Sequence, residues 1–264
     1  PRQEAPLSGL EGTVIAMAHS PDGRRLAAVT FVQPPPGEED AGPGGWYGLW
    51  DTGSGELVAK SRLRSDGKSL AFSPDGTRVA AGTGDGHALL LDTSGKVRHD
   101  LDLSAISSGS VTAVAFRRDG TLLTGTWSGI VQHWDGSTGR QLGHPVLVEA
   151  APVSSIAMAP GSASFAVSGG SSGGVKVWDD GSLQQFGASF PGGAGQWGHV
   201  AYTPDGSRLV VVYSDGTAAV WPATVRAWLD QACAVAGRNF THEEWDRFVP
   251  GQDYRRTCPA YPAG

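Results

Sequence analysis

The feature that most constrains this chain is an internal repeat with a period of about 43 residues. A Trp-Asp pair, or a close variant of it, closes the units at residues 50–51, 91–92, 134–135, 178–179 and 221–222. A Pro-Asp-Gly turn or a relative of it keeps the same spacing, at residues 20–23, 73–76, 117–120, 159–162 and 203–206. Periods of roughly 20–50 residues are typical of proteins that stack one supersecondary unit. The chain therefore has five copies of one unit, followed by a different segment.

Each unit is predicted to form four short antiparallel strands. In the third unit these strands are residues 111–117, 121–126, 130–135 and 141–148, separated by turns rich in Gly, Asp and Ser. Four such strands in about 43 residues are typical of one blade of a β-propeller. We therefore expect an all-β propeller domain over residues 1–222. The fifth unit has no fourth strand after its Trp-Pro pair, and residues 4–10 are predicted to supply it as the outer strand that closes the last blade.

Residues 4–222 resemble the WD-repeat β-propeller family, on the strength of the Trp-Asp endings and the Pro-Asp-Gly turns in phase with them. The Asp that this family places in the second hairpin of each blade is present at Asp85 and Asp215, but Ser128 and Ser172 replace it elsewhere. The buried hydrogen-bond network of the family is therefore expected to be incomplete. Two arrangements remain open. The five blades close as a ring, or they form part of a longer propeller whose other blades come from elsewhere.

A second module is predicted for residues 223–264. An apolar stripe at helical spacing follows Thr224 and stops at Gly237, and a capping box of Thr241 and Glu244 begins a second helix. We expect this helical tail to pack on the propeller through four side chains: Trp228, Leu229, Trp245 and Phe248.

The tail sequence, residues 232–259, is similar to that of bacterial WD-repeat sensor proteins of actinobacterial type and of STAND-type signalling NTPases. This resemblance implies a bacterial signalling context and a cytoplasmic location.

The two cysteines of the chain, Cys233 and Cys258, both lie in the tail. A disulfide between them would close a loop, and the chain-entropy model gives this crosslink about 3 kcal/mol of stabilisation. The alternative is a pair of reduced thiols, as is usual in the cytosol.

Charge and composition exclude several kinds of site. The net charge of −6 falls on the propeller, because the tail holds five Arg and five acidic residues. Such a surface disfavours binding to nucleic acid, and no apolar run is long enough for a membrane span. The histidines and cysteines lack the spacing of a metal site, so neither a metal nor another cofactor is expected. The first strands offer mostly Ala, Val, Ser and Thr, so no catalytic residues are predicted.

A partner is expected to bind the face formed by the loops between second and third strands and between blades. Trp127 is the strongest candidate for a partner-binding residue, because it lies in a hairpin turn, where an exposed Trp would be typical of an interface. Trp197 begins a first strand, where burial is the expected state. An acidic, Pro-rich insertion at residues 33–47 adds to this face. The candidate residues are Glu38, Glu39, Asp40, Arg64, His87, Trp127 and Trp197.

The sequence therefore favours a non-enzymatic protein-interaction or sensor module. The resemblance of the tail implies that it is the C-terminal sensing part of a larger bacterial signalling or defence protein. A propeller that binds small molecules or carbohydrates on Trp platforms is the alternative, and a propeller hydrolase is a further one.

Overall fold

The computed structural model describes residues 8–34, 36–37, 43–107, 109–161, 163–170, 174–192 and 197–264. The strands of these residues are β1 (Thr13–His19), β2 (Arg25–Phe31), β3 (Gly45–Asp51), β4 (Leu57–Leu63), β5 (Gly67–Phe72), β6 (Arg78–Thr83), β7 (His87–Asp92), β8 (Val97–Asp102), β9 (Val111–Phe116), β10 (Thr121–Thr126), β11 (Ile130–Asp135), β12 (Gln141–Leu147), β13 (Val153–Met158), β14 (Ser164–Gly169), β15 (Val175–Asp179), β16 (Gly198–Tyr202), β17 (Arg208–Tyr213) and β18 (Ala218–Pro222). Two helices follow, α1 (Val225–Ala236) and α2 (His242–Phe248).

The strands form five antiparallel sheets, one for each repeat of the sequence. Blades 1, 2 and 3 are the four-stranded sheets β1–β4, β5–β8 and β9–β12, and blades 4 and 5 are the three-stranded sheets β13–β15 and β16–β18. The repeat predicts a fourth, outer strand in every unit, but in blade 4 the residues at that place, 183–190, make only isolated bridges. Leu183 and Gly187 both have positive φ there, at 55° and 61°, which interrupts the extended backbone that a strand requires.

The recurring Asp-Gly turns are built from local hydrogen bonds. In blade 2, Asp75 accepts hydrogen bonds from the Ser73 hydroxyl at 2.6 Å and from the Thr77 amide at 3.0 Å. The Ser73 hydroxyl holds the pKa of Asp75 below its usual value. Gly76 completes the turn with φ of 69°, a conformation that glycine adopts without strain. This turn joins a first strand to a second strand, and the same pairing of a hydroxyl with Asp recurs in blade 1 between Ser20 and Asp22 and in blade 5 between Thr203 and Asp205.

The core consists of apolar clusters sandwiched between successive blades. Each first strand lies beside the next one, from β1 to β5, β9, β13 and β16. One face of blade 5 packs on blade 4, where Val211 is fully buried, whereas Val212 on the other face is 51% exposed. On blade 1, Met17 is 64% exposed. Among the described residues β16 and β1 share no comparable interface, so the row of blades is open at this place.

The N-terminal segment meets blade 1 where it is described. The Ser8 carbonyl accepts a hydrogen bond from Trp50 Nε1 at 3.0 Å, and the side chain of Leu10 lies against Gly48. Residues 4–7 lie outside the described residues, so the closing strand over residues 4–10 stays a prediction.

The helices of the tail begin and end as the sequence predicts. The Thr224 hydroxyl caps α1, Gly237 ends it in the left-handed conformation, and Thr241 and Glu244 form the expected capping box of α2.

The predicted packing of the tail on a blade is only partly correct. Trp228 lies against Phe190 and donates a hydrogen bond to the Pro222 carbonyl. Trp245 is buried inside the tail itself, while Leu229 and Phe248 are 50% and 63% exposed. The reason is that the tail folds around its own crosslink, a disulfide between Cys233 and Cys258. No helix of the described residues is long and apolar enough to cross a membrane.

A candidate interaction surface around the central cavity

The first strands of all five blades begin around one cavity. We call this side of the molecule the upper face; it carries the loops at residues 64–66, 84–86, 103–107, 109–110, 127–129, 148–152, 197 and 214–216. The cavity has a volume of 230 Å³ and receives side chains from every blade, including Ile15, Lys68, Thr112, Ser154 and His199. It is a concave centre surrounded by loops of different sequence, which is the geometry that interaction surfaces share.

Trp127 is held outward by its own turn. Its amide donates to the Ser110 carbonyl at 2.9 Å, and Gly129 follows with φ of 79°. A Cβ at position 129 would lie 1.9 Å from the Glu149 carbonyl oxygen, so only glycine lets the turn fit under the neighbouring loop. With its backbone fixed in this way, the Trp127 side chain is 52% exposed.

Trp197 joins Trp127 on the upper face. Its backbone is paired with Ser214, from whose amide the Trp197 carbonyl accepts a hydrogen bond at 2.9 Å. The two indole rings lie 5.7 Å apart between centroids at an angle of 33°. The expected burial of Trp197 is wrong, because its side chain is 41% exposed. The strand start leaves the indole above the sheet, where it meets Trp127.

Two other predicted residues meet in a polar cluster at the outer edge of blade 2. Arg64 Nη2 lies 2.6 Å from Asp100 Oδ2 and 3.4 Å from His87 Nδ1. The other carboxylate oxygen of Asp100 lies 2.7 Å from the same His87 nitrogen, and Asp102 stands 3.9 Å from its Nε2. Asp100 is not among the residues predicted from the sequence. It lies on an outer strand, and nothing in the local sequence indicates that its side chain reaches the loop after the preceding blade.

The acidic insertion is the remaining predicted part of this face. Glu38, Glu39 and Asp40 lie outside the described residues, so their place on the surface stays a prediction. Within the part of the chain that the structure describes, no three His, Cys, Asp or Glu side chains are grouped to hold a metal ion.

A buried titratable cluster lies between blades 3 and 4. Arg117 pairs with Asp180, and His133 Nε2 lies 3.6 Å from Asp180 Oδ1. Burial lowers the pKa of His133 and raises that of Asp180. The Asp180 side chain is 3% exposed, so the cluster joins two blades and presents nothing to a ligand.

The tail carries a second concavity, next to the disulfide. It has a volume of 340 Å³ and is lined mainly by apolar side chains, among them Leu229, Cys233, Ala236, Phe240 and Cys258. The Arg238 guanidinium at its rim is paired with Glu244 at 2.6 Å. The groove exists because the core of the tail is thin: the apolar face of α1 has no buried residue.

Comparison with known proteins identifies the repeats. The family model for "WD domain, G-beta repeat" matches residues 66–92, 101–135 and 137–179, which cover β5–β7 of blade 2, all of blade 3 and the three strands of blade 4. Human WD repeat-containing protein 90 is 31% identical over 181 residues, which are 66% of this chain and 10% of that protein. The WD40 repeat protein poxJ of Penicillium oxalicum is 32% identical over 102 residues, 36% of this chain and 29% of that protein. The chain thus spans less than a third of these relatives.

Solved structures share the fold at low sequence identity. "Structure of U3-55K" superposes with a TM-score of 0.68 at 18% identity, over 82% of this chain and 63% of that one. "Crystal structure of RRP9 WD40 repeats" gives 0.67 at 18% identity, over 83% and 62%. The fold is therefore that of a WD-repeat β-propeller, as the repeats predict.

Proposed function

Because this chain carries WD repeats on a propeller of five sheets, we propose that it is a non-enzymatic protein-interaction module that docks a partner on its upper face. The observation that carries this proposal is the exposed pair of Trp127 and Trp197 on the upper face. Folding buries most large aromatic side chains, and exposed Trp is enriched among the residues that dominate binding energy. Two blades contribute one indole each, so the pair exists only on the assembled propeller.

Affinity capture from a lysate of the source organism tests this proposal. Wild type is compared with Trp127→Ala and with Phe248→Ala, a matched control because Phe248 is 63% exposed on the tail. We expect a protein that wild type and the control retain and that Trp127→Ala loses. If all three retain the same protein, the docking site lies elsewhere. If none of them retains a protein, the interaction function is refuted.

We also propose that further propeller blades cover the open faces of blades 1 and 5. The exposed side chains there include Val14, Met17, Val212 and Val220, and the equivalent faces between the other blades are packed clusters. The solved propellers named above continue beyond the matched part. Lysine substitution of Val212 tests the idea. It should leave the isolated chain folded and abolish association with polypeptides that carry the additional blades. Unchanged association would refute it.

The wider context is proposed from the sequence of the tail. We propose that the module is the C-terminal sensing part of a larger bacterial signalling or defence protein with an effector domain on the same polypeptide. The relatives named above are from human and from a fungus, so the support is the tail alone. Reading the coding sequence upstream of residue 1 tests this context. A domain of the STAND type in the same frame supports it, and a stop codon directly upstream contradicts it.

A cytoplasmic location belongs to the same proposal. The Cys233–Cys258 disulfide counts against it, since such bonds are rare in reducing compartments. Alkylating free thiols in intact cells before lysis distinguishes a reducing compartment from an oxidising one. Modified cysteines indicate a reducing compartment, and protected cysteines indicate an oxidising one.

The Trp pair favours one alternative function. The exposed indoles of Trp127 and Trp197 offer flat faces on which the ring of a sugar or of a similarly small molecule can stack. Titration with a panel of monosaccharides, read by the chemical shifts of the Trp127 and Trp197 indole protons, tests it. Saturable shifts at millimolar sugar favour this alternative, and a flat panel excludes it.

A further inference from the structure

We propose that the Trp127–Trp197 pair binds a lysine or arginine side chain of a basic peptide segment. This inference rests on the proposed function and names the chemistry of the partner at the same site. Three observations lead to it: the rings are open to solvent, the cations of the surrounding loops are already paired, and the turns connected to the pair carry exposed carboxylates.

Another indole of the chain, that of Trp46, already contacts two cations. On blade 1 the Trp46 ring has Lys60 Nζ at 4.1 Å from its centroid and the Arg62 guanidinium at 5.5 Å. Such contacts are favourable because the face of the ring is electronegative. Among the described residues no cation lies over Trp127 or Trp197 in this way. Their rings therefore keep the same capacity for a cation from outside.

The cations of the upper loops are engaged with carboxylates of the chain. Lys68 Nζ lies 2.5 Å from Asp66 Oδ2, and Arg64 lies 2.6 Å from Asp100. The Asp66 side chain is only 5% exposed. A buried partner therefore holds Lys68 at the wall of the cavity. Neither cation is available to repel a basic ligand at the Trp pair.

Two exposed carboxylates lie in turns of the upper face that hydrogen bonds connect to the pair. Asp215 follows Ser214, whose amide donates to the Trp197 carbonyl. The Thr217 hydroxyl donates to Asp215 at 2.7 Å and lowers its pKa, so this group is ionised at neutral pH. Asp85 accepts a hydrogen bond from the Thr83 hydroxyl and follows Gly84, whose carbonyl accepts a hydrogen bond from the Ser110 hydroxyl at 3.2 Å.

Ser110 is also the residue whose carbonyl holds the Trp127 amide. A short hydrogen-bonded connection therefore leads from each indole to a turn that carries a carboxylate, through the backbone at Ser214 and through the Ser110 hydroxyl. A cation stacked on the rings would lie on the face that carries these carboxylates, on a chain whose net charge is −6. Carboxylates and aromatic faces attract the same ligand, and both repel an acidic one. An extended peptide with basic side chains fits this arrangement.

Calorimetric titration with a synthetic peptide tests the inference. The probe is a blocked nonapeptide of alternating glycine and arginine, compared with the same peptide carrying citrulline, which keeps the shape of arginine without its charge. We expect saturable binding of the arginine peptide at low ionic strength and at least about tenfold weaker binding of the citrulline peptide.

Variants locate the binding on the protein. Trp127→Leu and Trp197→Leu should each weaken binding of the arginine peptide about tenfold. Asp85→Asn and Asp215→Asn should weaken it about threefold and reduce its salt dependence. Trp46→Leu is the matched control, because its ring is already occupied, and it should leave the affinity unchanged.

The inference is overturned if wild type binds both peptides equally, or if Trp46→Leu weakens binding as much as Trp127→Leu. It is also overturned if the arginine peptide does not bind at about 5 mM. In that last case the capture experiment separates the two claims. A partner that is still lost on Trp127→Ala leaves the interaction function intact with a ligand of different chemistry, whereas loss of both refutes the function as well.

Discussion

Reduction of the Cys233–Cys258 disulfide should unfold the tail and leave the propeller intact. The bond links the last turn of α1 to the segment after α2 and spans 25 residues of sequence. The loop that it closes contains little core of its own. Helix α1 has no buried residue, and α2 buries only Trp245. Small modules with thin cores depend on such crosslinks.

The expected loss follows from the length of the loop. For 25 residues the chain-entropy model gives about 3.5 kcal/mol at room temperature. A module of the size of this tail has a free energy of unfolding of roughly 2–6 kcal/mol. Removing the crosslink therefore takes most of that stability away, and the opening equilibrium of the tail should rise by up to about 300-fold. The propeller blades do not contain the bond and should not respond.

Hydrogen exchange measured by mass spectrometry reads this change by segment. Protein is compared before and after treatment with a phosphine reductant, and Cys233→Ser/Cys258→Ser is compared with wild type. We expect faster exchange in α1 and α2 and unchanged exchange in β9–β11, which serve as the internal control. Counting thiols on unfolded, unreduced protein checks the starting state, in which we expect none.

Unchanged exchange of the tail after reduction would refute this reasoning. It would mean that side-chain hydrogen bonds hold the loop without the crosslink. The structure contains one set that could do so. The amide of Asn239 donates to the carbonyls of Cys258, Tyr261 and Pro262, and its oxygen accepts from the Cys258 amide. In that case Asn239→Ala, rather than reduction, should release the tail.

Three further predictions concern the propeller. Val211→Ala should lower the free energy of unfolding by about 2–3 kcal/mol because Val211 is fully buried, while Val212→Ala should cost less than about 0.5 kcal/mol; equal losses in urea denaturation would mean that the outer face of blade 5 is covered. Trp134→Phe should lower the free energy of unfolding by about 1–2 kcal/mol, because it removes the indole N–H that donates to the buried Thr124 hydroxyl. Trp178→Phe should lower it less, since the indole nitrogen of Trp178 is buried without a partner among the described residues, and thermal unfolding of the two variants compares them. The turn carboxylate Asp205 has its pKa lowered to about 2 by a threonine hydroxyl, so its contribution to stability is present above about pH 4 and is lost as the pH falls towards 2; Asp205→Asn should flatten the dependence of stability on pH in that window, and an unchanged slope would contradict the assignment.

Much of the fold was predictable because it depends on local chemistry. An Asp-Gly turn forms through hydrogen bonds within a few residues, as Asp75 does with Ser73 and Thr77. The helix caps at Thr224 and Thr241 are local in the same sense. The period of the repeat then places the turns in order along the chain, and the caps mark the helices of the tail that follows. No long-range information is needed for any of these steps.

The candidate site was less predictable because its parts come from different blades. Trp127 could be singled out from its place in a turn, but the exposure of Trp197 and its contact with Trp127 depend on how far each blade is rotated from the next. The same holds for Asp100, which reaches Arg64 across the boundary between two blades. The exposure of Leu229 and Phe248 was also missed, since an amphipathic pattern shows that a face is apolar without showing what covers it.

The sequence by itself determined that the chain has five repeated units, that each is a small antiparallel sheet, and that a two-helix tail follows. Those conclusions depend on periodicity and on interactions over a few residues. Only the tertiary structure decided which indoles meet, which cations are already paired and which faces stay open. These properties depend on distances between residues far apart in sequence, such as the 5.7 Å between the rings of Trp127 and Trp197. The packing of successive blades sets such distances, and no single repeat encodes them.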